Sequence, residues 1–278
     1  MSEKLTKGQK HILFNEGTEP PGSSSLNYEE REGYYCCVGC GTKLFESASD
    51  NGVPVIILDR PNPLGGQKIS GPLPREEYQS FEAYHLVPIR HGMTIGELLL
   101  MVNEMGWAKD LKRVDLKIVP MANWKREQYM DDLQLPWKKP APYIKDLYTL
   151  IMYTGMDLLR GTNINVGFGT ELPYLRFGSP WLATKFFKEK LDMLDLPGLT
   201  FREVSYRPKG SPYFNRIPKY NGKSCSGIEI LISDKKLVKP LETATSIITL
   251  ISQLHPREFK WEGNGYIDKL FGSNQLSL

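Results

Sequence analysis

Residues Tyr34–Gly66 read YYCCVGCGTKLFESASDNGVPVIILDRPNPLGG. The stretch opens as half of a metal-binding knuckle and closes as an apolar strand running into a turn. Val53–Leu58 is apolar and rich in β-branched residues, the pattern of a strand covered on both faces of an α/β sheet. It runs into Asp59-Arg60-Pro61-Asn62-Pro63-Leu64-Gly65-Gly66, polar groups fixed by two prolines and released by two glycines. The carboxyl end of a buried strand is where open α/β sheets place ligands. Asp59, Arg60 and Asn62 are therefore candidate binding residues, against the plainer alternative that they only hold the turn.

Upstream of the strand, Cys37-Val38-Gly39-Cys40 has knuckle spacing, with Gly39 and Gly41 leaving the backbone amides free to turn toward sulfur. Tetrahedral zinc needs four ligands, and Cys37 and Cys40 are two. The other cysteines are the adjoining Cys36 and the distant Cys225, and His11, His85, His91 and His255 are not paired at ligand spacing. The knuckle reads as a half-site. A redox dithiol would sit in a βαβ unit, and no such pattern surrounds it. Before the cysteines, Thr6 and Gln9 have capping-box spacing and Gly17 closes one short helix, followed by the polar loop 18–33.

Downstream, Arg90-His91-Gly92 precedes a helix start marked by the Thr94 and Glu97 capping box, with Ile95, Leu98, Leu99 and Val102 on one face. Backbone N–H groups at a helix start favour anions, so Arg90 and His91 form a candidate carboxylate- or sugar-binding corner. Glu97 has an ordinary capping role. Strands are expected at 114–121, 201–206 and 227–233, and helices at 145–160, 183–195 and 240–254. Interleaved helices and strands make the class α/β or α+β. The glycine-rich segment 161–181 contains Asn163 and, in Gly167-Phe168-Gly169-Thr170, a weak phosphate signal without the Lys-Ser/Thr of a P-loop. Asn163 and Thr170 join the candidate sugar-binding set. Trp107, Trp124, Trp137 and Trp181 stand in or beside loops, where packing competes with stacking on sugar rings.

The bulk numbers narrow the classes. Lys+Arg 35 against Asp+Glu 32 gives +3 over 278 residues, too balanced to argue for nucleic acid or a membrane surface. Twenty prolines and 25 glycines predict many turns and ordered loops rather than a helical bundle. No run approaches the roughly 18 apolar residues of a membrane span. The N-terminus lacks a signal-peptide core, so a cytoplasmic chain with thiols rather than disulfides is expected.

Two resemblances follow from these residues. The helix, the Gly17-Thr18-Glu19-Pro20 turn and Tyr35-x-Cys37-x-x-Cys40-Gly41-x-x-Leu44-Phe45 resemble the start of the peptide methionine-R-sulfoxide reductases, over about residues 4–48. That likeness places Cys37 and Cys40 on the family's first zinc pair. Its second pair and its catalytic cysteine do not follow, so zinc is not expected to be retained. From residue 51 to 278, VPVIILDRPNPLGGQKISGPL, PIRHGMTIGELLLMVNE, LKIVPMANWKREQYMDDLQLPW, LLRGTNINVGFGTELPYLRFGSPW and CSGIEILISD resemble, in order, the exo-β-N-acetylmuramidases.

The second resemblance implies a Rossmann-like domain, a smaller α/β domain and a sugar cleft. It implies removal of terminal N-acetylmuramic acid from peptidoglycan fragments, with no cofactor. The chain departs from the family pattern: most of the first domain expected before Val53 is missing, and the chain stops a few tens of residues short of the usual C-terminus. It has no Glu-His-Gly, the turn expected to carry the catalytic acid, and Phe168 stands where many relatives carry arginine. Asp59, Asp131, Asp132 and Glu171 are the remaining carboxylates to weigh. The expected organisation is a partial reductase-like segment at 1–48, a remnant of the Rossmann-like sheet at 49–111 and a C-terminal α/β domain at 112–278. The leading expectation is a chimeric, truncated hydrolase whose partners are muropeptides and small sugars. The alternatives are a muropeptide-binding protein without catalysis and an incomplete sulfoxide reductase.

Overall fold

The computed structural model describes residues 54–80, 83, 85–107, 113–210 and 217–277. The chain divides into two compact units, Met1–Pro61 with Met93–Asn123 and Pro212–Asn215, and Asn62–Gly92 with Trp124–Ser211 and Arg216–Leu278. Cys37, Cys40 and the expected helix after Thr6 lie outside the described residues.

In the first unit, β1 (Val55–Leu58), α1 (Ile95–Met105) and β2 (Leu116–Val119) follow one another. β1 and β2 pair in parallel, with Val55 opposite Leu116 and Leu58 opposite Val119. A parallel pair cannot close through a hairpin and needs a crossover, which here contains α1. The helix starts where the sequence predicts. The Thr94 hydroxyl accepts from Glu97 N at 3.2 Å, and the Glu97 carboxylate accepts from Thr94 N at 3.0 Å. Gly106 stops it at φ +64°. Asn103 then fixes the entry to β2, its amide bonding both Val114 N and Val114 O at 3.0 and 3.1 Å.

The apolar run of β1 fits a strand covered on both faces of a complete sheet, and in a remnant of that sheet uncovered apolar faces are expected. Val55 and Ile57 are half-buried, but Ile56 is 60% and Leu58 72% exposed. Among the described residues the sheet has two strands, and α1 packs on one side of it, where a Cβ on Gly96 would come within 2.8 Å of Ile118.

The second unit carries the larger core. Its elements are α2 (Leu147–Met156), β3 (Arg176–Ser179), α3 (Thr184–Asp192), β4 (Leu199–Tyr206), β5 (Cys225–Ile232), α4 (Pro240–Leu254) and α5 (Tyr266–Phe271). The helices and strands expected from sequence are all present, with ends moved by a few residues. The sheet order is β3-β5-β4, antiparallel throughout, with β5 central. Met152, Met156, Phe177, Phe187, Leu191, Ile228, Ile247 and Ile251 are fully buried between sheet and helices. α2 and α4 touch backbone to backbone, because a Cβ on Gly155 would lie 2.0 Å from Pro240 O.

One charge spans the whole sheet. Glu229 on β5 is buried and bridges Arg176 on β3 at 2.7 Å and Arg202 on β4. Burial pushes its carboxyl up, but hydrogen bonds from the two arginines outweigh that and hold it below the ordinary glutamate value. The class is mixed α/β. Among the described residues no helix is long and apolar enough to cross a membrane.

Candidate functional site

The turn Asn62–Gly66 opens the second unit. Asn62 Oδ1 accepts from Leu64 N at 3.0 Å, and its carbonyl accepts from Gly65 N at 2.9 Å. Gly65 sits at φ +70°, and Gly66 N donates to Arg126 O at 2.6 Å. A side chain at Gly66 would strike Arg126 Nη1 at 2.8 Å and Gly92 O at 2.9 Å. Glycine is required there so that the turn can lie flat on the Trp124–Tyr129 loop. A short antiparallel bridge between Ser70 and Arg90, with both N–H···O bonds at 2.9 Å, delivers Arg90 to the same place.

These segments enclose a cavity of about 220 Å³, whose walls include Leu64, Lys68, Arg90, Arg126, Glu127, Tyr129 and Lys236. Four of those side chains are cationic and one is a carboxylate. Arg90 is 4% exposed. Its Nη2 donates to Leu64 O at 2.6 Å and to the Tyr129 hydroxyl at 3.4 Å, with the guanidinium 5.8 Å over the Tyr129 ring. Its Nε is buried without a hydrogen-bond partner. Lys68 Nζ donates to Lys236 O, drawing two lysines from opposite ends of the unit into one wall. Lys235 sits 5.1 Å over the Tyr129 ring and pairs with Asp131 and Asp132. Burial lowers the basicity of His91, so its imidazole is neutral near neutral pH.

The candidate residues therefore divide. Arg90 forms the pocket, Asn62 shapes the turn beside it, and His91 follows Arg90 in the chain. Asn163 ties two distant backbones, donating to Glu258 O at 2.8 Å and accepting from Lys260 N at 3.0 Å. Thr170 closes its own turn, donating to Gly167 O at 2.7 Å and accepting from Leu172 N at 3.1 Å. Asp59 and Arg60 belong to the first unit. The Asp59 carboxylate holds the start of α1, accepting from Thr94 Oγ1 at 2.6 Å and Gly96 N at 2.9 Å. Arg60 N donates to Asp59 Oδ1 at 2.9 Å.

The other carboxylates weighed from sequence are also engaged. The backbone N–H of Tyr129, followed by Lys235, holds Asp132 below the ordinary aspartate value. A hydrogen bond from Lys145, 2.5 Å away, does the same for the exposed Glu171. A glycosidase general acid needs the opposite, a raised value. Phe168 packs edge-to-face with Tyr143 and Tyr174, at 5.5 and 5.2 Å between centroids. Trp181 and Trp137 hydrogen-bond Tyr220 and Ile144 O, at 3.2 and 3.4 Å, and pack against the core. Sequence reasoning missed Lys68, Arg126, Tyr129 and Lys236. The only signals are a lysine two residues past the double glycine and the Lys235-Lys236 pair after β5.

Comparison with known proteins gives two families. The N-terminal and C-terminal domain models of exo-β-N-acetylmuramidase NamZ match residues 34–148 and 151–278, and a SelR domain model matches residues 5–52. The chain is 37% identical over 231 residues to the peptidoglycan β-N-acetylmuramidase NamZ of Bacillus subtilis, covering 83% of this chain and 53% of that protein. It thus spans about half the length of that relative. It is 46% identical over 43 residues to the peptide methionine sulfoxide reductase MsrB of Methanosarcina mazei, 16% of this chain and 31% of that one. Two crystal structures of DUF1343 family proteins from Bacteroides fragilis share the fold. One has TM-score 0.73 and 26% identity, covering 84% of this chain and 60% of that chain. The other has TM-score 0.63 and 25% identity, covering 83% and 59%.

Proposed function

The chain belongs to the exo-β-N-acetylmuramidase NamZ family over residues 34–278, and from that premise we propose that it acts on the terminal N-acetylmuramic acid of peptidoglycan fragments as a muramidase-like glycoside hydrolase. The observation that carries the proposal is the 37% identity with a peptidoglycan β-N-acetylmuramidase, sustained over 231 residues. The cationic pocket around Arg90 supports it, because muramic acid is distinguished from other hexosamines by a carboxylate. The substrates are peptidoglycan fragments, muropeptides and small muramyl sugars, and the cationic pocket fits those whose terminal lactyl group carries no peptide. The Rossmann-like character of the first unit belongs to the same reading and is supported by its parallel β1–α1–β2 crossover. Residues 5–52 are a reductase-like segment joined in front of it.

A second reading, recognition without turnover, is favoured by the state of the acidic groups. Hydrolysis of a glycosidic bond ordinarily uses two carboxylates flanking it. Asp59, Asp131, Asp132 and Glu171 are engaged as described, and Glu229 is locked between two arginines. Incubation with 4-nitrophenyl β-N-acetylmuramide, with binding of the intact glycoside measured in parallel, separates the readings. Catalytic release of nitrophenol supports hydrolysis. Saturable binding without release supports recognition alone, and neither binding nor release contradicts both.

A further inference from the structure

Among the described residues of the second unit, Arg90 is the buried cation, and it lines a cavity too small for a disaccharide. We infer that the Arg90 pocket is a carboxylate subsite, taking the lactyl ether of an N-acetylmuramyl group, with Arg90, Lys68 and Lys236 as its cationic wall. This rests on the muramidase reading above and adds which part of the sugar the pocket recognises.

Three observations carry it. First, Arg90 is 4% exposed, forms no ion pair with a carboxylate among the described residues, and keeps a buried Nε without a partner. Its hydrogen bonds reach only the neutral Leu64 carbonyl and Tyr129 hydroxyl, so no anion offsets its charge, and a buried cation is costly unless an anion meets it. Second, Lys68, Arg126 and Lys236 line the same cavity as Arg90, Lys68 held there by its bond to the Lys236 carbonyl, and Glu127 is the one carboxylate in the wall. Gathering like charges is unfavourable by itself and becomes favourable when an oxyanion sits among them. Third, the cavity is about 220 Å³, below the roughly 300–1,000 Å³ of pockets that enclose whole drug-sized ligands. It suits a substituent: Leu64 offers an apolar wall to the lactyl methyl, while the cations meet its carboxylate. The sugar ring would remain outside.

Such a site selects by what the wrong ligand leaves unpaired. N-acetylglucosamine lacks the lactyl ether and would leave the cations unmatched, the arrangement that gives polar pockets their strongest discrimination. Charge-assisted hydrogen bonds of this kind correspond to about a 10- to 100-fold preference.

The test is calorimetric titration of the full chain with methyl β-N-acetylmuramide and methyl β-N-acetylglucosaminide. The muramide is expected to bind about 10- to 100-fold tighter. Because Arg90 is buried and its replacement can unfold the unit, the deciding variant is Lys68→Met/Lys236→Met on the rim. It is expected to lose most of the muramide preference while keeping the glucosaminide affinity and the melting temperature. Equal affinity of the native chain for both glycosides overturns the subsite and leaves the muramidase reading standing. So does a double variant that retains the full preference. A native chain that binds neither glycoside overturns both.

Discussion

At the scale of single residues, His91 and Glu229 both link stability to acid. Burial lowers the His91 value from the ordinary 6.5, so the folded chain resists protonation there while the unfolded chain takes the proton freely. Stability contributed by neutral His91 is therefore present above about pH 6.5 and falls as pH drops below it. Glu229 is held below 4.5, so its contribution is present at neutral pH and is lost as pH falls beneath 4.5 through its folded value. Denaturant titrations from pH 8 to 3 should show two successive declines. His91→Gln should reduce the first, and Glu229→Gln should reduce the second, to which Asp132 and Glu171 also contribute, at a cost of about 2–4 kcal/mol at pH 7, because it leaves Arg176 poorly matched. A single decline unaffected by His91→Gln would contradict the first assignment. Cys225 makes a third case. It is buried, and burial raises its thiol above the ordinary value, so it is neither exposed nor a ready thiolate. In a Cys36→Ser/Cys37→Ser/Cys40→Ser background it should react with a disulfide reagent only after denaturation. The native chain should likewise not reduce peptidyl methionine-R-sulfoxide with dithiothreitol, and reduction abolished by Cys225→Ser would contradict this. Arg90 stands out in the sequence because it precedes a capped helix. Its setting does not, since the Tyr129 hydroxyl it meets lies 39 positions away.

At the scale of elements, local chemistry was legible and long-range contact was not. The capping box at Thr94 and Glu97 and the glycine stop at Gly106 depend on residues within one helix, and they stand as the spacing predicts. The Gly155 approach to Pro240 depends on two helices 85 residues apart, and nothing near Gly155 announces it. Gly155→Ala should cost about 2–3 kcal/mol, measured by chemical denaturation, because α2 and α4 must separate to admit the methyl. The apolar run of β1 illustrates the same limit. Its composition fits burial on both faces of a complete sheet, yet Ile56, Leu58 and, opposite Leu58 on β2, Val119 are exposed, with Lys117 beside them opposite Ile56. Open apolar strand faces promote association. Ile56→Thr/Leu58→Lys should reduce concentration-dependent scattering without lowering the melting temperature. Unchanged scattering would mean that another surface drives association.

At the scale of the whole molecule, the boundary between two families falls inside the opening stretch. The SelR match ends at residue 52 and the NamZ match begins at residue 34, so residues 34–52 are claimed by both. The order of five motifs made the second family legible from sequence. The pocket was not, because its cations lie in four separate segments that only folding gathers. The reductase-like segment spans about a third of its M. mazei relative, whereas the core of the second unit is built from its own sheet and helices. Limited trypsin digestion should therefore cut first within residues 1–52 and leave a resistant fragment beginning near residue 53. First cuts within β3, β5 or α4 would contradict that division. The most direct measurement concerns the sugar. Peptidoglycan fragments ending in N-acetylmuramic acid, and matched fragments ending in N-acetylglucosamine, are incubated with the full chain and followed by mass spectrometry and equilibrium binding. The proposed muramidase function predicts that the muramyl-ended fragments alone are engaged, losing one terminal N-acetylmuramic acid. Fragments of both kinds left intact and unbound would contradict it.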